Sequence, residues 1–161
     1  MAWTIPLTWT ANGVPGETDL NTHIRDNLNA LKTPAFGQIF TASAGNYSTT
    51  ATTAVPIDTA NLSITLTTSG GNIECHCSLL MSANNGAPRL GLDYDGTAWA
   101  GTAITRGIAA GAAAAVTYTV FVTGLASGSH IFQPTFLSPV GGVTSYVMAA
   151  SAPVIFWARE G

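Results

Sequence analysis

The chain has 161 residues, of which 47% are hydrophobic and only 8% charged, with a formal net charge of −3. Five basic residues give no basic footprint for nucleic acid, and high hydrophobicity with small net charge argues against disorder. The length suits one domain, and charge far below the roughly 25% of an ordinary domain implies a surface of Thr, Ser, Asn, Gly and Ala, or one covered by other chains.

Residues 1–16 alternate, with Trp3, Ile5, Leu7 and Trp9 on one side and Thr4, Pro6, Thr8 and Thr10 on the other. Period two predicts an extended strand, and Pro6 confines it to an edge or a free arm. The start lacks the basic region of a signal peptide, and no run reaches the roughly 18 apolar residues of a membrane span. Asn12-Gly13 and Pro15-Gly16 break the arm.

A helix is expected over residues 18–32, with Thr18 as N-cap, Glu17 and Asp19 at the positive end of its dipole, and Thr33-Pro34 as its stop. Leu20, Ile24, Leu28 and Leu31 form one apolar stripe. A helix of about 15 residues is marginal alone in water, so the stripe must meet copies of itself or another protein.

From residue 36 the pattern is all-β. Strands are expected at Phe36–Ala42, around Leu62–Thr67, at Ile73–Met81, Arg89–Tyr94 and Thr97–Trp99, around Val116–Thr123, and at Ser129–Leu137, Val143–Ala149 and Val154–Arg159. Asp95-Gly96 is a strong hairpin signal. Ala109–Ala115, rich in Gly and Ala, is expected to be a loop. The fold class expected is mainly β: an arm and one short helix (residues 1–34), then an antiparallel β-sandwich or jelly roll (residues 35–161), which the resemblance given below narrows to a jelly-roll β-sandwich.

Few residues suggest chemistry. Cys75-His76-Cys77 would put two thiols on one strand face and the imidazole on the other, with no second ligand pair, so a packing role is expected rather than zinc. The two sulfurs, about 7 Å apart on a strand, are poorly placed to bond each other. Asp93-Tyr94-Asp95-Gly96 lacks the remaining ligands of a calcium loop. There is no Gly-x-Ser-x-Gly elbow. No cofactor and no catalytic residue is expected. Tyr94 and Trp99, near a hairpin tip, are the candidates for stacking on a host glycan.

Trp9-Thr10-Ala11-Asn12-Gly13 followed by Thr18-Asp19-Leu20-Asn21-Thr22-His23-Ile24-Arg25-Asp26-Asn27-Leu28-Asn29-Ala30-Leu31-Lys32 resembles the N-terminal segment of many tailed-phage and prophage structural proteins. It departs from that pattern at Glu17-Thr18-Asp19, where small residues are more usual. Softer landmarks follow at Asn61–Gly71, Asp95-Gly96-Thr97, Gly124–His130 and Phe156–Glu160. They resemble a knob similar to the trimeric jelly rolls of the tumour-necrosis-factor and C1q class. The resemblance implies a virion protein assembled in the host cytoplasm, a homotrimer without enzymatic activity, nucleic-acid binding or membrane insertion. Residues Trp3, Ile5, Leu7, Trp9, Leu20, Ile24, Leu28 and Leu31 would attach it to capsid or tail proteins. With anchor and knob but no shaft, a head decoration protein or head fibre is favoured over a short tail fibre that binds a host receptor or carbohydrate.

Overall fold

The computed structural model describes residues 8, 13–25, 27–28, 34–41, 45–98, 104–105, 111–138 and 140–161. Helix α1 spans Glu17–Leu20 and runs into a π-helical turn, Asn21–Arg25. Its N-cap is Gly16 rather than Thr18, because the Asp19 carboxylate reaches back to accept the Gly16 N–H at 3.2 Å. That closes the first turn one residue earlier than a Thr18 hydroxyl would. Asn27 and Leu28 are again helical, whereas Leu31 lies outside the described residues.

The described strands are β1 (Phe36–Thr41), β2 (Tyr47–Thr49), β3 (Val55–Pro56), β4 (Ile64–Thr68), β5 (Gly71–Ala83), β6 (Arg89–Tyr94), β7 (Thr97–Ala98), β8 (Ile104–Thr105), β9 (Ala113–Leu125), β10 (Gly128–Leu137), β11 (Ser145–Val147) and β12 (Val154–Glu160). Every pairing among them is antiparallel. In the first sheet β5 pairs with β9 on one side and with both β12 and β11 on the other, while β1 and β2 flank β12 and β11. In the second, β3 and β4 flank β10, which pairs with β6, and β7 and β8 flank β6. Interrupted strands sharing one partner make one row, so each sheet has four rows. The chain crosses between sheets at every row except the β6–β7 hairpin. This is a jelly-roll β-sandwich, as the alternation and the resemblance led us to expect.

The core lies between the sheets. Ile73, Cys75, Cys77, Leu79 and Met81 of β5 meet Phe156 of β12 and Val116, Tyr118 and Val122 of β9. Opposite them stand Ile64, Leu66, Leu90, Leu92, Phe132 and Phe136 of the second sheet. The buried Tyr118 hydroxyl donates to the Gly91 carbonyl at 3.0 Å, stitching sheet to sheet. At the open side of the sandwich Gly37 lets β1 approach β4, since a Cβ there would stand 2.5 Å from Ile64 Cγ2.

A second expectation is corrected. Residues 113–115, expected within an Ala-Gly loop, are strand, in register with Ser82, Met81 and Leu80. Alanine has weak strand preference, but the ladder offered by β5 overrides it. The turn before it contains Gly111 at φ +74°, a conformation natural to glycine.

Candidate interaction face

Alternation along the first sheet sends one set of side chains into the core and the other outward. In register, the outward set runs Phe36, Gln38 and Phe40 on β1, then Arg159, Trp157 and Ile155 on β12. It continues through Glu74, His76 and Ser78 on β5 to Phe121, Thr119 and Thr117 on β9. Phe36, Phe40 and Phe121 are 56–66% exposed. Among the described residues, the other exposed large apolar side chains are mostly on the N-terminal segment, including Leu20, Ile24 and Leu28 at 43–59%.

The centre of the face is an aromatic stack. The His76 imidazole lies over the Trp157 ring with centroids 5.2 Å apart and planes 11° from parallel. Phe36 tilts against Trp157 at 6.5 Å, and the Arg159 guanidinium sits 5.4 Å from the same indole centroid. His76 Nδ1 and Thr119 Oγ1 are hydrogen-bonded at 3.0 Å, as are the Ser78 and Thr117 hydroxyls. Glu74 Oε2 accepts from Arg159 Nε at 2.7 Å and lies 2.6 Å from Nη2. The charged groups described on this face therefore cancel in one pair. Beside it an open groove is lined by Pro34, Phe121, Glu74, Arg159 and Glu160, whose Oε1 accepts the Ser69 N–H at 2.7 Å.

Cys75 and Cys77 sit on the core side of β5, both free and fully buried, with His76 between them facing outward. Burial pushes the Cys75 thiol up to about 12 and Cys77 higher still. Both thiols should resist alkylation at pH 8 in the folded protein and react after denaturation. A Cys75→Ala, Cys77→Ala protein should fold with a loss of about 1–3 kcal/mol, measured by denaturant titration. Among the described residues no group of three or more His, Cys, Asp or Glu is placed to hold a metal ion.

At one end of the sandwich a charged clamp ties two turns together. Asp95 and Gly96 form the β6–β7 turn at φ +52° and +76°, the double left-handed geometry of a tight hairpin. Asp93 Oδ1 accepts the Gly96 N–H at 3.0 Å. Asp95 Oδ1 accepts the Ile131 N–H at 2.8 Å, and Oδ2 accepts from His130 Nδ1 at 2.7 Å. His130 Nε2 donates to the Ala126 carbonyl at 2.9 Å. With both ring nitrogens donating, His130 is held as imidazolium, its pKa raised by the Asp95 hydrogen bond and then by that to Ala126. Burial alone would raise Asp95, but the hydrogen bonds from His130 and Ile131 outweigh it and hold that carboxyl low. The calcium-like run is thus a clamped hairpin.

Because His130 is raised in the fold, its contribution is full below about pH 6.5 and is lost as pH rises through the folded value. His130→Ala should cost about 1–2 kcal/mol near pH 6, toward the lower end of charged hydrogen bonds because Asp95 is partly exposed. The deficit should shrink at alkaline pH, read from melting temperatures across a pH series.

Of the residues singled out in the sequence, Leu20, Ile24 and Leu28 are exposed along the helical segment. Tyr94 is half-buried and packs against the core. Trp3, Ile5, Leu7, Trp9, Leu31 and Trp99 lie outside the described residues. Sequence reasoning missed the face of Phe36, Phe40, His76, Phe121 and Trp157. A signal was present in β12, whose run Val154-Ile155-Phe156-Trp157-Ala158 is apolar on both sides, the pattern of a strand buried on both faces.

No protein family and no curated protein matches the sequence. Similar solved structures include the VP2 subviral particle of infectious bursal disease virus, at 13% identity over 79% of this chain and 37% of that one, TM-score 0.41. Another is the CBM36-1 domain of a multidomain xylanase from the hindgut metagenome of Trinervitermes trinervoides, at 12% identity over 78% and 97%, TM-score 0.42. A third is dimeric latent PorU from Porphyromonas gingivalis, at 10% identity over 99% and 14%, TM-score 0.35. The chain spans little more than a third of the viral chain's length.

Proposed function

We propose that this chain is a non-enzymatic structural protein on the surface of a tailed phage particle, a trimeric capsid decoration protein or head fibre. Its N-terminal segment attaches to the particle and its jelly roll projects as the knob. The observation that carries the reading is the outer face of the first sheet. Large exposed apolar patches on soluble chains mark interaction surfaces, and this one is broad, aromatic and electrically neutral. Charge-depleted, aromatic composition is the signature of an interface centre. A second copy of the chain fits it, because a face with no net charge does not repel itself. The separate stripe of Leu20, Ile24 and Leu28 remains for the particle, and the motif resemblance of residues 9–32 points the same way.

The alternative is a tail-fibre knob that binds a host receptor or carbohydrate. A map of the intact particle separates the two: many copies on the capsid lattice support decoration, and a few copies at the tail tip overturn it. For the knob itself, Phe40→Asp with Phe121→Asp should turn a trimer into monomers by light scattering while circular dichroism stays that of the wild type. Retention of the trimer would show that this face is not the contact.

A further inference from the structure

We infer that Asn85 is a site of spontaneous modification, where the Gly86 backbone nitrogen attacks the side-chain amide and a carboxylate takes its place. A side-chain carbonyl adjoins a glycine N–H at three places in the chain, Asn12-Gly13, Asn85-Gly86 and Asp95-Gly96. Glycine is the neighbour that favours ring closure, because no Cβ obstructs the approach and its backbone angles are least restricted. Asn12 lies outside the described residues. The other two stand in opposite settings. Asn85 and Gly86 are exposed in the turn that carries the chain from β5 in the first sheet to β6 in the second. The turn is anchored at its ends, where the Asn84 N–H donates to the Thr144 carbonyl at 3.1 Å and Pro88 is fully buried. Between the anchors, neither the Asn85 amide nor the Gly86 N–H has a hydrogen-bond partner among the described residues. At the β6–β7 turn, by contrast, Asp93 takes the Gly96 N–H, while Ile131 and His130 hold the two Asp95 oxygens. Those bonds keep Asp95 as the carboxylate anion, a poor electrophile. The other described asparagines are each followed by a residue bulkier than glycine, and the side chains of Asn27, Asn46 and Asn61 are bonded.

The step needs no reactant but water. Hydroxide takes the Gly86 amide proton, and the nitrogen attacks Asn85 Cγ. The Cγ–Nδ2 bond breaks, ammonia leaves, and a five-membered succinimide closes. Water then opens the ring at either carbonyl. Cleavage of the new C–N bond gives aspartate. Cleavage of the original peptide bond gives isoaspartate, whose backbone runs through Cβ and is one carbon longer. Either product adds one negative charge, taking the formal net charge from −3 to −4. The extra carbon falls in an exposed turn between two fixed points, so both sheets keep their register.

The test ages the full folded chain in mildly alkaline buffer for weeks, beside a synthetic peptide of residues 82–89, with circular dichroism to confirm that the chain stays folded. Isoelectric focusing follows the charge, and tryptic mapping with fragmentation places the change. Trypsin puts Asn12 in the peptide ending at Arg25, Asn85 in the peptide Thr33–Arg89 and Asp95 in the peptide Leu90–Arg106. Most of the unmodified Thr33–Arg89 peptide should be lost, to forms in which Asn85 has exchanged NH2 for OH. The isoaspartyl form should accept a methyl group from S-adenosylmethionine in the presence of an isoaspartyl methyltransferase, while the peptide Leu90–Arg106 should not. Loss should be slower in mildly acid buffer, where less hydroxide is present, and absent at residue 85 in Asn85→Gln. Persistence of Asn85 in the folded chain while the synthetic peptide converts overturns the proposal, because the turn would then be holding the pair apart. Conversion of Asp95, or of Asn46, Asn61, Asn72 or Asn84, at the pace of Asn85 overturns it as well, because the fold would not be selecting the site.

Discussion

Removal of residues 1–33 should abolish attachment to the particle while leaving the jelly roll folded and trimeric. The cut before Pro34 matters, because the Ala35 carbonyl accepts the Glu160 N–H at 2.9 Å and secures the start of β1. The described core is built wholly from residues of the β-region, so the fragment keeps it. What it loses is the stripe of Leu20, Ile24 and Leu28, exposed in the chain by itself, together with the arm carrying Trp3, Ile5, Leu7 and Trp9. Burying one large apolar side chain fully is worth about 1.5–3 kcal/mol. Several of them, even half covered, would supply several kcal/mol to docking before the ordering entropy is subtracted. Affinity changes tenfold for each 1.4 kcal/mol or so, so the fragment should no longer bind stripped particles in a co-sedimentation assay. A fragment that aggregates or melts would place the arm in the knob's own core, and one that still binds would place the anchor elsewhere.

Phe156→Ala should be the most damaging single core truncation. Its ring is fully buried and lies between Ile39 of β1 and Cys77 of β5 in the register of the sheet. Three strand rows of one sheet therefore close around one side chain. Removing a buried phenylalanine ring costs about 3–5 kcal/mol, the upper part of that range applying where neighbours cannot collapse. Ladders on both sides hold β12 in place, so the cavity should persist. Domains of this size typically hold about 5–15 kcal/mol in total. The denaturant midpoint should fall steeply with an unchanged slope. Wild type and variant must be compared at equal protein concentration, because the trimerisation proposed above would add to apparent stability by mass action. A loss below about 1 kcal/mol would show that the site repacks.

Much of the β-region was legible in the sequence because strands buried on one face announce themselves. Ile64 and Leu66 against Thr65 and Thr67, or Val116 and Tyr118 against Thr117 and Thr119, leave one reading of period and of inward face. The short strands β2, β3 and β8 gave no such signal. Two or three residues hold too little alternation, and their partners in β11, β10 and β6 define them. The outward aromatic face was hidden for a related reason. In β1, Phe36 and Phe40 alternate with Gly37 and Ile39, and in β12 Ile155 and Trp157 alternate with Phe156 and Ala158. Where both faces are apolar, alternation cannot say which is the core. That was settled by the second sheet, whose Ile64 and Leu66 claim the side of Gly37 and leave Phe36 outside. Neither could the sequence bring His130 to Asp95, 35 residues apart, since that meeting depends on β10 pairing with β6.

The pairing of β1 with β12 carries a consequence for how the molecule is made. Phe36 lies opposite Arg159 and Thr41 opposite Val154, so the first β-row waits for the last. A chain emerging from the ribosome holds β1 without its neighbour until nearly all of residues 35–160 have been synthesised. Closing so long a loop is entropically slow, and sheets built from distant partners fold over milliseconds to seconds. Throughout that interval the apolar β1 edge and the core face of β5 are open to other nascent chains. Copies made together on one message would meet in this state, where mispairing between chains competes with folding for the same exposed strands.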